Sequence, residues 1–149
     1  MQKAFLIYNP ASGRKRAKRT QDIARVAEIF WAAGVQVETC LTTHAGSATQ
    51  QVQEAAASGT FDTVVACGGD GTANEALNGL MRAASMRTSA DVALGLVPLG
   101  SGNLLASDLG LPSDPVAAAQ KLLSYQPRDF QPGLVCSQEI GRASCRERV

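Results

Sequence analysis

Apolar and polar positions follow one another in blocks along this 149-residue chain, and the blocks switch between strand-like and helix-like periods. Lys3 to Tyr8 is a short apolar run that ends at Asn9-Pro10 and predicts a buried strand. From about Arg16 to Ala33, Ile23, Val26, Ala27 and Phe30 recur at i, i+3, i+4 and i+7, the period of one helix face, and Gly34 stands where a helix ends. Val35 to Leu41 alternates, which predicts a strand with Val35, Val37, Thr39 and Leu41 on one face. Ser47 to Ser58 predicts a second helix, with Ala48, Val52, Ala55 and Ala56 inward, capping-box spacing at Ser47 and Gln50, and Gly59 after it. Thr63 to Cys67 is short and apolar, as a parallel strand covered on both faces should be. A helix from Ala73 to about Arg82 follows, with Ala73, Leu77, Leu80 and Ala84 inward, then a strand over Val92 to Val97. Asp114-Pro115 opens another helix as cap and first-turn proline, with Val116, Ala119, Leu122 and Leu123 inward, and Arg128 to Val135 predicts one more strand.

Strand and helix therefore alternate, which predicts an α/β fold: a Rossmann-like, three-layer parallel sheet with helices on both faces. Right-handed crossovers bring every strand-to-helix loop to one edge of such a sheet, where ligands bind outside the carboxyl ends of the strands. The unusual loops of this chain all belong to that edge. In Asn9-Pro10-Ala11-Ser12-Gly13, the Asn9 amide can hold the loop, Gly13 permits a tight return, and Ser12 can meet a phosphate. Gly68-Gly69-Asp70-Gly71-Thr72 places bare backbone N–H groups beside an acid that can handle a metal ion or a hydroxyl. Here Thr72 and Glu75 have capping-box spacing, but a cap accounts for neither the glycines nor Asp70. Pro98-Leu99-Gly100-Ser101-Gly102-Asn103 again sets glycines around a hydroxyl after a strand. In Thr42-Thr43-His44-Ala45-Gly46-Ser47, Thr42 can hydrogen-bond a nucleotide, and His44 is read as a loop residue rather than a catalyst.

Composition narrows the picture. The chain is long enough for one domain with a real core. A net charge of +1 gives no global attraction to nucleic acid, so no nucleic-acid partner is expected. One local run is basic, Arg14, Lys15, Arg16, Lys18 and Arg19; it is read as a solvated helix start or as a contact for anionic lipid. The four cysteines lack metal-binding spacing; Cys40 and Cys67 are expected as buried thiols in a reducing, cytoplasmic compartment. No signal-peptide pattern opens the chain, and no apolar run approaches the ~20 residues of a membrane span. Gly141 to Val149 has no apolar period and reads as a non-native tail, the natural protein being expected to continue past about Glu139.

The Asn9–Gly13 loop, the Gly68–Thr72 loop followed by Asn74-Glu75, and the Pro98–Asn103 loop, in that order and spacing, resemble the catalytic domain of the diacylglycerol kinase family, the bacterial lipid kinases related to sphingosine and ceramide kinases. The resemblance covers about residues 3–135. It implies transfer of the γ-phosphoryl group of ATP to a lipid hydroxyl such as that of diacylglycerol, with Mg2+, by a cytoplasmic protein in peripheral contact with the membrane. It also implies nucleotide contacts from Thr42, from Gly68, Gly69, Asp70, Gly71, Thr72, Ala73 and Asn74, and from Gly100 and Ser101, with Asp70 nearest the phosphates and metal. Ser101 stands where many members have threonine, and Leu104 replaces the acid that often follows Asn103. Residues 1–127 would form the nucleotide-binding domain and residues 128–140 the start of a β-rich second domain, which supplies the catalytic acid and further metal ligands and lies outside this chain. The alternatives are a nucleotide-binding module without activity and a kinase of a soluble substrate such as NAD. The sequence does not give an oligomeric state; a homodimer is the assembly considered.

Overall fold

The computed structural model describes residues 1–12, 18–86, 91–129, 132–136 and 141–143. Four strands, β1 (Lys3–Tyr8), β2 (Gln36–Leu41), β3 (Thr63–Gly68) and β4 (Ala93–Pro98), form one sheet in the order β2-β1-β3-β4. Every pair in it is parallel. The connections are helical: α1 (Arg19–Ala32), α2 (Ser47–Ala57) and α3 (Asp70–Ser85). After β4 come the short α4 (Leu104–Asp108) and α5 (Pro115–Ser124). The fold predicted from the alternation of strands and helices is the fold observed.

Two apolar clusters fill the two sides of the sheet because successive strand residues face opposite ways. On one side Ala4, Leu6, Val65, Cys67 and Val97 meet Ile23, Val26, Ala27 and Phe30 of α1 and Ala119 of α5. On the other, Phe5, Ile7, Val64, Ala66 and Leu96 meet Ala48, Val52 and Ala55 of α2 and Ala73 and Ala76 of α3. All six residues of β3 are buried, which is why its sequence reads as a continuous apolar run.

The differences from expectation have local causes. β2 is an edge strand, so Thr39 and Leu41 are exposed and Cys40 is only partly buried, against the expectation of an inward face and a buried thiol. Cys67, on central β3, is buried as expected. The α3 helix starts at Asp70 rather than Ala73: Gly71, a poor helix former, lies inside its first turn and argues for a later start, which tertiary contacts override. Ala84 is exposed and Ala83 takes the inward position. Of the strand expected over Arg128 to Val135, the described residues show β5 (Leu134–Cys136); Pro132, which lacks a ladder donor, stands two residues before it. β5 pairs antiparallel with β6 (Gly141–Ala143), which falls in the segment expected to be a non-native tail.

Candidate functional site

Register brings the carboxyl ends of the strands level. Tyr8 pairs with both Leu41 and Cys67, and Gly68 pairs with Pro98. The four loops singled out in the sequence therefore share one sheet edge. The chain leaves β1 toward β2 on one side and reaches β3 and β4 on the other, so a topological switch point lies between β1 and β3.

At β1, Asn9 Oδ1 accepts the Ala11 N–H at 2.8 Å and the Asn9 carbonyl accepts the Ser12 N–H at 3.1 Å. The Asn9 amide thus holds the loop as expected, with Ser12 half-buried beside it. Gly13, Arg14, Lys15 and Arg16 lie outside the described residues. Of the basic run, Lys18 is exposed, but Arg19 is buried on the face of α1 that also carries Ile23, and its guanidinium lies 3.6 Å from the Asp22 carboxylate. Arg19 is therefore neither a solvated residue nor a surface charge.

The second and third loops are locked together. Gly69 is extended, with φ −94° and ψ −169°, and its carbonyl accepts the Ala73 N–H at 3.1 Å. Thr72 is not the helix cap the spacing predicts: it lies inside the first turn, buried against Gly68, where an added Cβ would collide with its side chain. The Leu99 N–H donates to the Gly68 carbonyl at 2.8 Å. A Cβ on Gly69 would lie 3.1 Å from Gly100 Cα, and one on Gly100 would run into the Gly69 backbone. Two of the glycines thus serve backbone-to-backbone contact.

Asp70 reinforces this lock. Its Oδ2 accepts the Leu104 N–H at 3.1 Å and its Oδ1 accepts the Leu105 N–H at 3.0 Å, so the acid of one loop caps the short helix after the other. Asn103 closes the third loop on itself: its Oδ1 accepts the Gly100 N–H at 2.8 Å and its Nδ2 donates to the Gly100 carbonyl at 2.9 Å. It does so from a left-handed backbone, φ 54°, a conformation asparagine tolerates better than most residues. Neither the Asp70 cap nor this closure is readable from spacing; an Asn just before a short helix and an acid after two glycines are their faint signals.

Between the two loops lies a cavity of about 10 Å³ lined by Gly69, Asp70, Asn103 and Leu105, room for one water and no more. A larger ligand must lie on the outer rim. The rim carries Gly71, Ser101 and Gly102, all exposed. A Cβ on Gly71 would meet nothing within 4 Å, so no packing within the described residues requires its bare backbone. It sits in the first turn of a 16-residue helix whose leading N–H groups lack intrahelical partners and favour an anion.

The fourth loop starts with the Thr42 N–H donating to the Tyr8 carbonyl at 2.9 Å. His44 is exposed and its Nδ1 lies 2.9 Å from Thr43 Oγ1, in keeping with a loop role. The capping box predicted at Ser47 and Gln50 does not form. Gly46 is the N-cap of α2, in the left-handed region at φ 89°, and Gln50 donates to Glu54 at 2.9 Å. The cap comes from Glu75 of α3 instead, whose carboxylate accepts the Gly46 and Ala48 N–H groups at 2.9 and 3.2 Å. Asn74, half-buried on α3, accepts from the Asn78 amide at its carbonyl, 2.7 Å away.

Burial pushes the pKa of the Cys67 thiol well up, and burial followed by the Glu38 charge raises that of Cys40, so neither thiol is activated. Among the described residues no three His, Cys, Asp or Glu side chains gather into a metal-binding group. Each Asp70 oxygen accepts one amide proton and keeps a lone pair, so Asp70 could add a single ligand to magnesium but does not by itself form a cage. Among the described residues no helix is long and apolar enough to cross a membrane.

The diacylglycerol kinase catalytic domain profile matches residues 3–135. A diacylglycerol kinase of Bacillus subtilis is 40% identical over 139 residues, covering 93% of this chain and 43% of that protein. Sphingoid long-chain bases kinase 1 of Arabidopsis thaliana is 33% identical over 81% of this chain and 16% of its own length. A crystal structure of a diacylglycerol kinase from Bacillus anthracis superposes with a TM-score of 0.69 at 28% identity, over 83% of this chain and 39% of that one. The chain thus spans less than half the length of these relatives. With the fold, the loops and these likenesses in agreement, the chain belongs to the diacylglycerol kinase catalytic-domain family.

Proposed function

We propose that this chain is the nucleotide-binding half of an ATP-dependent lipid kinase, which transfers the γ-phosphoryl group to the hydroxyl of a lipid alcohol such as diacylglycerol. The observation that carries the reading is the rim at Gly71, Ser101 and Gly102, open above two loops locked by Gly69 against Gly100 and by Asp70 against α4. Phosphoryl transfer asks little covalent chemistry of the protein; positioning and charge stabilisation dominate. The leading N–H groups of α3 would hold the phosphates, Ser101 would offer a hydroxyl, and Asn9, Ser12 and Thr42 would reach the nucleotide from the neighbouring strand ends. Asp70 would fix the distance between the two phosphate-facing loops. Magnesium would supply charge neutralisation on the triphosphate, and the described donor set makes no site for it unaided.

In this reading residues 1–127 are the nucleotide domain, residues 128–140 open a β-rich second domain that brings the catalytic acid and the lipid pocket, and the whole protein works in peripheral contact with a membrane. The chain alone binds ATP and turns over poorly, since half a cleft positions one substrate. The test is the full-length protein assayed for radiolabelled phosphate transfer from ATP to diacylglycerol. Asp70→Asn should lower turnover by at least about 100-fold, the scale of one preorganising group, with the fold preserved and a loss of stability no larger than one cap, about 0.5–2 kcal/mol. Near-normal turnover in that variant would remove Asp70 from the mechanism, and a full-length protein that binds ATP but phosphorylates no lipid alcohol would leave a binding module.

A further inference from the structure

We infer that Glu75 is a positioning residue for the nucleotide site, acting through the loop that carries Thr42. The inference rests on the nucleotide-binding reading above and adds a residue which that reading does not use. Glu75 lies in the second turn of α3, and its carboxylate leaves its own helix to serve another. Oε1 accepts the Gly46 N–H at 2.9 Å and Oε2 accepts the Ala48 N–H at 3.2 Å. Gly46 has no side chain with which to cap α2, so an acid from α3 takes the Ala48 amide that a serine or aspartate at that position would accept, and the Gly46 N–H as well, which no residue at that position could satisfy itself. Its negative charge also faces the positive end of the α2 dipole, and such charge-assisted bonds are about twice as strong as neutral ones.

Ser47, the residue whose spacing predicts the cap, is occupied elsewhere. Its hydroxyl donates to the His44 carbonyl at 2.8 Å and accepts the Thr43 N–H at 3.0 Å. The loop is therefore fixed at three points: Thr42 to the end of β1, Thr43 and His44 to Ser47, and Gly46 to Glu75. Only the last of these reaches the helix that opens with Asp70 and Gly71. Because Asp70 and Glu75 share α3, the Glu75 carboxylate sets how far the Thr42 loop stands from the rim where the phosphates would lie. The same helix thus holds a loop on each side, through Asp70 toward α4 and through Glu75 toward α2.

A merely structural role would show as lost stability alone, and a second bond between the same helices serves as the control. Thr49 Oγ1 donates to the Glu75 carbonyl at 3.1 Å, and Thr49→Val removes that bond while leaving the Gly46 and Ala48 amides capped. ATP affinity of the full 149-residue chain is measured by titration calorimetry, with thermal unfolding followed alongside. Glu75→Gln should weaken ATP binding by about tenfold and speed hydrogen exchange at the Gly46 and Ala48 amides, on the scale of one lost charge-assisted bond. Thr49→Val should stay within about twofold of wild type even where it lowers the unfolding temperature as much. If Glu75→Gln does not fold, Glu75→Asp, which keeps the charge and shortens the reach, carries the same expectation. Unchanged affinity in the Glu75 variant, or an equal loss in Thr49→Val, would overturn the inference and leave Glu75 as a packing residue. A wild-type chain that folds and does not bind ATP would overturn the nucleotide reading itself.

Discussion

Asp62 sits at the far end of β3 from the glycine loops, and its carboxylate ties backbone to backbone there much as Asp70 does at the site. It accepts the Gln2 N–H at 2.6 Å, the Lys3 N–H at 3.1 Å and the Thr63 hydroxyl at 2.6 Å. Burial alone would raise its pKa; the Thr63 hydroxyl and the two amides outweigh it, and the pKa is lowered. The folded value thus lies below the unfolded one of about 3.9, so the stabilisation is complete above that pH and is lost as pH falls through the folded value. Asp62→Asn should flatten the acid limb of stability against pH below about 4 and leave the neutral range level. Urea midpoints at pH 3 and pH 7 check this; an unchanged acid slope in the variant would mean that other carboxylates carry it. Residue roles of this kind were the least legible in the sequence. Asp70 and Glu75 stand out as acids, but their partners are amides 34 and 35, and 27 and 29, positions away, and spacing reports only near neighbours. That is why Glu75 reads as a partner for Thr72 when it caps another helix.

At the scale of elements, α3 organises the site by touching both neighbours, and its approach to α2 depends on Gly79. A Cβ there would lie 2.6 Å from the Thr49 carbonyl oxygen and 2.8 Å from Val52 Cβ. Gly79→Ala gains up to about 1 kcal/mol of helix propensity and loses about 1–3 kcal/mol to overpacking. The net expectation is a destabilised protein with α2 pushed outward, taking the Thr42 loop with it. Chemical denaturation gives the sign, and a stabilised variant would show that the helices separate freely. Elements with a covered face were legible: β1, β3, α1 and α5 announce themselves because one periodicity decides their burial. β2 was legible as a strand but not as an edge, since Thr39 and Leu41 keep the alternation while facing solvent. The start of α3 was hidden by Gly71, whose propensity argues for a loop where tertiary contacts hold a helix.

For the whole molecule, the alternation of elements and the right-handed crossover made a parallel sheet covered on both faces foreseeable, whereas the strand order β2-β1-β3-β4, which reverses at β1, was not. How the loops meet could not be foreseen either, because it depends on contacts between strand ends 30 residues apart in the chain, as between Gly68 and Pro98. If ATP binds only the folded chain, it should raise the unfolding free energy by about 2.7 kcal/mol at one hundred times its dissociation constant. A thermal shift that grows with the logarithm of ATP concentration, and is absent with adenosine alone, is the expected signature of binding through phosphates. A shift of equal size with adenosine would place the binding energy on the base instead. The contact between Gly69 and Gly100 carries a further consequence for anyone rebuilding this edge. Neither residue has a side chain left to give up, so enlarging one cannot be rescued by trimming the other. The two loops are therefore a single transplantable part, and grafting either one alone onto another sheet would carry over half of a fit.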